Sequence, residues 1–375
     1  MKWALMIAAA CGHAPAPVVQ PQTGSSTSTS TSTSTTADAA GPSQDEVLAA
    51  IQKAMNDLAT PAHQCWAAAA TERFDVEGEL QMHVDIANGT PKVVVARDTS
   101  NSKRLGECMA TLLAGYRWAP PLANQSFELP FKFTAPDSQS VIDRQLVEWH
   151  GQDKTSVAVL LDENNSGNGM ASMFELAIQA GASTGMRKAD RAELWYFLGP
   201  AKVGKRDVAA GDMMLVPQKA ARDVQASGSD LHAAIVAVPG GREGAARAGA
   251  LPTPAATGKL GEPKVLLAKD AKTFGPATIY LDDSIVKGTP LAASILKLPA
   301  GAKVAEHVHA KETELLYILE GAGTMTVAGT DVPVTATSVI QIPPNTKHAF
   351  VATAAVSAFQ VYTPAGPEQR FKKKP

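Results

Sequence analysis

The spacing of apolar positions divides the chain into two kinds of structure. Over QDEVLAAIQKAMNDLATPAHQCWAAAA, Val47, Leu48, Ile51, Met55 and Leu58 recur at helical intervals and make one broad face. VEGELQMHVDIANGTPKVVVARD then alternates on both sides of an Asn-Gly pair, which predicts two strands joined by a tight turn. NSKRLGECMATLLAGYRW returns to helical spacing, with Leu105, Met109, Leu112 and Leu113 as its apolar set, and QSFELPFKFTAP reads as a closing strand. Helix, hairpin, helix, strand is a small α+β unit over residues 44–136. Residues 137–154 read as a linker. From about residue 155 the chain is short apolar runs between Gly/Pro turns, the pattern of an all-β barrel or jelly roll.

That second region repeats itself. LLDENNSGNGMASMFELAIQAGA aligns with YLDDSIVKGTPLAASILKLPAGA, so that Leu161 matches Leu281 and Gly181 matches Gly301. ELWYFLG then aligns with ELLYILEG, LVPQKAARDV with QIPPNTKHAF, and AVPGG with YTPAG. Two tandem copies of an all-β unit of about 100 residues are expected, over 155–245 and 246–375.

The N-terminus belongs to neither kind. MKWALMIAAAC has a lysine, a short apolar run, small residues and a cysteine, the layout of an export signal. It is similar to bacterial lipoprotein signals, in which such a cysteine becomes the lipidated first residue. Residues 1–11 would then be the signal ending at Cys11, with Ala8 standing where leucine is usual. The alternative is a plain signal peptide cut near APAP. The resemblance implies anchorage in the bacterial envelope, and Gly12, with no aspartate after the cysteine, implies the outer membrane. Residues 12–43, rich in Ser and Thr, cannot supply a core and read as a disordered tether. With Cys11 set aside, Cys65 and Cys108 remain, and an even remainder in an exported chain suggests one disulfide, the alternative being two free thiols. The formal net charge of −2 and the lack of a basic stripe give no sign of nucleic-acid binding. The terminal RFKKKP reads as a solvated end.

The QCW, the VEGEL hairpin, GECMATLLAGYRW and LPFKF together resemble the small C-terminal domain of TonB-like energy transducers, in its two-cysteine form. The resemblance implies a module that binds a peptide or an envelope protein partner; a spacer with no ligand is the other reading.

Gly301, His307, His309, Glu314 and Gly321 follow the first motif of the cupin family, G-x5-H-x-H-x3,4-E-x6-G. Pro343 and His348 follow the second, in which Thr337, Asn345 and Ala352 stand at positions usually held by Gly, Gly and Asn. Residues 155–375 thus resemble a bicupin, and the fold class expected for the whole chain is mainly β: two tandem cupin jelly-roll barrels, preceded by a small α+β domain and a disordered tether. Chemistry points the same way. One residue apart on a strand, His307 and His309 share a face. Two imidazoles leaving water together need a partner. With Glu314 and His348 they make a set of three imidazoles and one carboxylate, suited to one divalent transition metal (Zn, Mn, Fe, Cu or Ni) with one or two open positions. Glu306 and Glu312 are the nearest alternative carboxylates, one expected to face outward and the other to fall in the turn.

In the first repeat Arg187, Ala189 and Arg222 replace the three histidines, and only Glu193 keeps its place. A guanidinium cannot ligate a cation. This barrel is expected to hold no metal, its arginines either pairing with Glu193 or binding an anion beside it. Leu316 and Ile318 share the face of Glu314, and Phe350 that of His348, so an apolar pocket for a small-molecule ligand is expected beside the metal. The enzymatic reading is an oxygenase, isomerase or lyase. The others are a non-catalytic sensor or carrier, and an envelope scaffold whose cupins form a homodimer.

Overall fold

A computed structural model describes residues 41–136, 139–251 and 261–372. The expected signal ending at Cys11, and residues 12–40 of the expected tether, lie outside the described residues. No described helix is long and apolar enough to cross a membrane. The chain forms two compact units, one of residues 41–70 and 75–136, the other of residues 71–74 and 139–372.

In the first unit the helix Gln44–Ala70 starts at a reciprocal cap. The Glu46 amide donates to the Ser43 hydroxyl, and the Ser43 amide donates back to the Glu46 carboxylate. Ile51, Met55, Leu58, Ala62, Cys65 and Trp66 form its buried face. The helix continues past Cys65 because Ala69 and Ala70 extend the same buried stripe. Strands Gly78–Ala87 and Thr90–Asp98 form the hairpin, with Asn88 and Gly89 at φ 51° and 77°, the left-handed conformation a two-residue turn demands. Leu80, Met82, Val84 and Ile86 alternate into the core. The strand Ser126–Phe133 pairs along the other edge of Gly78–Ala87. The helix Lys103–Gly115 is N-capped by Ser102, whose hydroxyl accepts from the Leu105 amide. The Cys65–Cys108 disulfide joins the two helices with Cα atoms 5.6 Å apart.

The second unit is two jelly-roll barrels, as the repeat predicts. Each is built on a seven-stranded sheet. In the first barrel's sheet the order runs Lys264–Leu266, Met213–Val216, Ala192–Phe197, Leu231–Val238, Ser172–Ile178, Thr155–Leu161, Trp149–Gln152. In the second it runs Lys272–Phe274, Ala277–Leu281, Ala292–Leu298, Val356–Thr363, Thr313–Glu320, Ser338–Ile342, Val141–Asp143. A four-stranded sheet of Lys303–His307, His348–Ala352, Ala322–Val327 and Thr330–Thr335 completes the second barrel. Shorter ladders play that part in the first.

The central strands are buried on both faces, which explains their unbroken apolar runs. Leu316 and Ile318 pack inside the second barrel with Met325 and Phe350. Their neighbours Leu315 and Tyr317 face the other way, into a cluster shared with Leu194 and Tyr196 of the first barrel. Trp195 and Phe197, one residue along, fill the first barrel's own interior. The turns repeat too: Gly181 and Gly301 have φ 74° and 79°, and the aligned pair Lys219 and Asn345 has φ 68° and 61°.

The expected boundaries need correction. Residues 137–154, read as a linker, contain Val141–Asp143, which extends the second barrel's sheet by pairing with Ser338–Ile342. They also contain Trp149–Gln152, an edge of the first. Conversely, Lys264–Leu266, assigned to the second repeat, pairs with Met213–Val216 of the first. Each barrel therefore receives an edge strand from outside its own repeat. Strands of three or four residues are too short for alternation to distinguish them from loop.

Candidate metal centre

His307 is the last residue of its strand and pairs across the ladder with His348, the first residue of the next strand in that sheet. Glu314 projects from the larger sheet, on the strand Thr313–Glu320. The strand stops at His307, so His309 lies in the turn beyond it and not on the same strand face, as spacing alone suggested. Its carbonyl accepts from the Asn345 amide at 2.7 Å, which pins that turn against the left-handed bend before His348. The result still brings all four side chains together: His307, His309, Glu314 and His348 offer ligand atoms within 4.8 Å of one another. Glu306 is directed outward and pairs with Lys347 at the surface, 3.5 Å away.

The imidazoles are oriented for ligation. The Nδ1 atoms of His307 and His348 lie 2.9 Å from the carbonyls of Ala305 and Thr346. Each Nδ1 must donate there, which leaves the Nε2 lone pair directed at the centre. Nε2 of His309 and of His348 each sit 3.2 Å from Glu314 Oε2. His307 Nε2 is buried and has no hydrogen-bond partner. A buried lone pair without a donor is costly, and a cation at this point would satisfy it. The donor set therefore fits a divalent transition ion.

Sequence reasoning missed the groups behind Glu314. Gln360 Nε2 donates to Glu314 Oε1 at 2.6 Å, and the Tyr362 hydroxyl donates to the same oxygen at 3.2 Å. The Ser294 hydroxyl donates to Gln360 Oε1 at 3.0 Å, which fixes the amide's orientation. The available signal was their period: Gln360 and Tyr362 are two apart on Val356–Thr363 and share an inward face. Burial opposes charge on Glu314, but its contacts with His309 and His348, with the Gln360 bond, hold its carboxyl far below the usual range. Burial lowers the His307 pKa; at His348 burial also lowers it most, but the Glu314 contact and the bond to the Thr346 carbonyl together raise it. Burial and then the Glu314 charge push the Tyr362 hydroxyl well above its ordinary value, so it stays a donor.

A cavity of about 280 Å³ adjoins the centre. His307, Glu314 and His348 form part of its wall, and Leu316, Ile318 and Phe350 line it as expected, with Arg370 and Phe371 from the C-terminal turn Gln369–Lys372.

In the first barrel the cross-strand pair equivalent to His307 and His348 is Arg187 and Arg222. Arg222 is buried and pairs with Glu193 at 3.2 Å, its guanidinium 4.6 Å above the Trp195 ring. Trp195 Nε1 donates to the same Glu193 oxygen at 2.8 Å. Arg187 takes no part in this pair; its Nε donates to the Thr184 carbonyl. Ala189 leaves no ligand at the His309 position.

Residues 294–362 match the cupin domain family. An uncharacterised protein of Methanocaldococcus jannaschii is 37% identical over 68 residues, which cover 18% of this chain and 54% of that protein, so the match spans about half the relative's length. Oxalate decarboxylase of Bacillus subtilis, a protein with Mn(II) centres, superposes with a TM-score of 0.50 at 15% identity, over 62% of this chain and 79% of that one. The formate complex of oxalate decarboxylase from Lactobacillus farciminis gives 0.50 at 14% identity, over 62% and 88%. At these identities the likeness establishes the fold, a pair of cupin barrels.

Proposed function

We propose that this is an envelope-anchored bicupin that binds one divalent transition metal through His307, His309, Glu314 and His348, and a small organic ligand in the adjoining cavity. The observation that carries this reading is the buried, unpartnered Nε2 of His307, aimed where two further imidazoles and a carboxylate converge. A bound ion would supply Lewis-acid polarisation of a ligand oxygen. The chain's own residues orient that centre: Gln360 and Tyr362 fix the carboxylate, two backbone carbonyls fix two imidazoles, and the apolar wall limits water. On this reading the protein acts as a metal-dependent oxygenase, isomerase or lyase. A second reading, a non-catalytic sensor or carrier, is favoured by a different observation: outside the ligand set, the ionisable side chains lining the cavity are the cations Lys303 and Arg370.

Anchorage through lipidated Cys11, with the α+β unit presented to an envelope partner, rests on the N-terminal pattern and on the TonB-like motifs. Elemental analysis of the chain after loading with Mn, Fe, Ni, Cu or Zn tests the centre. One ion per wild-type chain is expected, none in His309→Ala and one in Arg187→Ala. Two ions per wild-type chain, or full occupancy in His309→Ala, would overturn the assignment. A His309→Ala protein that loses the ion but still binds the ligand would leave only the sensor or carrier reading.

A further inference from the structure

The cavity beside the centre is charged asymmetrically. Leu296, Leu298, Leu316, Ile318, Phe350 and Val356 give it an apolar body. Its one carboxylate is Glu314, already committed to the imidazoles, Gln360 and Tyr362. At its mouth stands Arg370. One N–H of that guanidinium donates to the Tyr362 hydroxyl at 3.2 Å, and Tyr362 in turn donates to Glu314. This places the guanidinium one hydroxyl away from the metal-ligating carboxylate. No carboxylate among the described residues pairs with Arg370, and most of its five donors remain available.

The charges can be counted. A divalent ion with three neutral imidazoles and Glu314 would carry one net positive charge, and Lys303 and Arg370, both exposed residues of the cavity lining, add two more. That excess would attract a ligand anion into the cavity. A carboxylate suits both partners, since its oxygens can ligate a cation and accept from a guanidinium fork. The wall excludes a ligand that is charge alone: a small acid with no carbon body would leave the apolar side chains facing water. At about 280 Å³ the cavity lies near the lower bound for organic ligands.

We propose that the cavity takes a small monocarboxylate with an apolar body, its carboxylate held between the metal and Arg370 and its body against the leucine wall. This rests on the reading that the four residues hold a cation. The test is calorimetric titration of the metal-loaded full chain with butanoate, hexanoate and phenylacetate, the matching alcohols, and oxalate as a carboxylate without a body. At least one monocarboxylate is expected to bind about ten-fold or more tightly than its alcohol and than oxalate. In Arg370→Gln that preference should fall about ten-fold, with alcohol affinity and metal content unchanged; Arg370→Lys should restore part of it. Equal affinity for acid and alcohol, undiminished acid binding in Arg370→Gln, or oxalate binding as tightly as the best monocarboxylate would each overturn the proposal while leaving the metal assignment standing. A wild-type chain that takes up no ion would overturn both.

Discussion

Replacing Gln360 with methionine should weaken metal binding without disturbing the fold. Methionine has nearly the volume of glutamine, so the barrel interior stays filled. It removes the 2.6 Å donation from Nε2 to Glu314 Oε1, the 2.7 Å donation to the Tyr362 hydroxyl and the acceptor of the Ser294 hydroxyl. The carboxylate keeps one donor behind it, the Tyr362 hydroxyl at 3.2 Å. A hydrogen bond to a charged group has a net worth of about 1.5–3 kcal/mol. That bond also orients the carboxylate, and losing a group that orients a metal ligand usually costs about 10–100-fold in metal affinity. Competition against a chromophoric chelator reads the affinity, and circular dichroism checks the fold. A metal affinity within about two-fold of wild type, in a folded variant, would show that Gln360 is not holding Glu314 for the ion.

Reducing the Cys65–Cys108 bridge, which spans 43 residues, should destabilise the α+β unit by about 4 kcal/mol, measured as the change in its denaturation with and without reductant. Although burial works against its charge, the donors around Asp282, Lys372 foremost, lower its pKa from 3.8 to about 2. The folded state therefore gains stability above pH 4 and loses it as pH falls toward 2, by about 2 kcal/mol in all, and acid titration of Asp282→Asn should lack this component. Arg222→Ala leaves Glu193 in the first barrel without its cation and should cost about 3–5 kcal/mol, whereas Arg222→Met with Glu193→Gln should recover most of it; equal melting temperatures for the two variants would refute the ion pair's structural role.

Much of the site was readable because its ligands obey short-range geometry. His307 and His309 announce themselves by spacing, and Asn345 by its tolerance of the left-handed bend it occupies. The Asn-Gly hairpin was readable for the same local reason. The groups that tune the site were less accessible. Gln360 lies on an otherwise apolar run, and a single glutamine there carries no motif; only its place opposite the Glu314 strand gives it meaning. Arg370 reaches the cavity from a terminal turn whose basic run reads as solvated surface. The exchanged edge strands Val141–Asp143 and Lys264–Leu266 depend on partners roughly 200 and 50 residues away, which no local period records.

The contrast between the two barrels is a matter of charge compensation. Both place a glutamate from the large sheet beside a cross-strand pair of basic residues, Glu193 with Arg187 and Arg222, and Glu314 with His307 and His348. A buried carboxylate must be neutralised or protonated. In the first barrel Arg222 supplies a permanent positive charge, and Trp195 donates to the same Glu193 oxygen, so the carboxylate is neutralised from within the chain. In the second the residues beside Glu314 are imidazoles, which as neutral ligands would leave the carboxylate to be balanced by a bound divalent ion. One barrel thus carries its own cation, and the other gathers residues that could hold one. The first is retained for a separate reason. Leu315 and Tyr317, on the strand that carries Glu314, face away from the centre and are buried against Leu194 and Tyr196 of the first barrel. Without that cover the sheet that carries Glu314 would expose an apolar face to water, at about 25 cal/mol for each Å². The strand that positions Glu314 depends on both barrels, although the chemistry belongs to one.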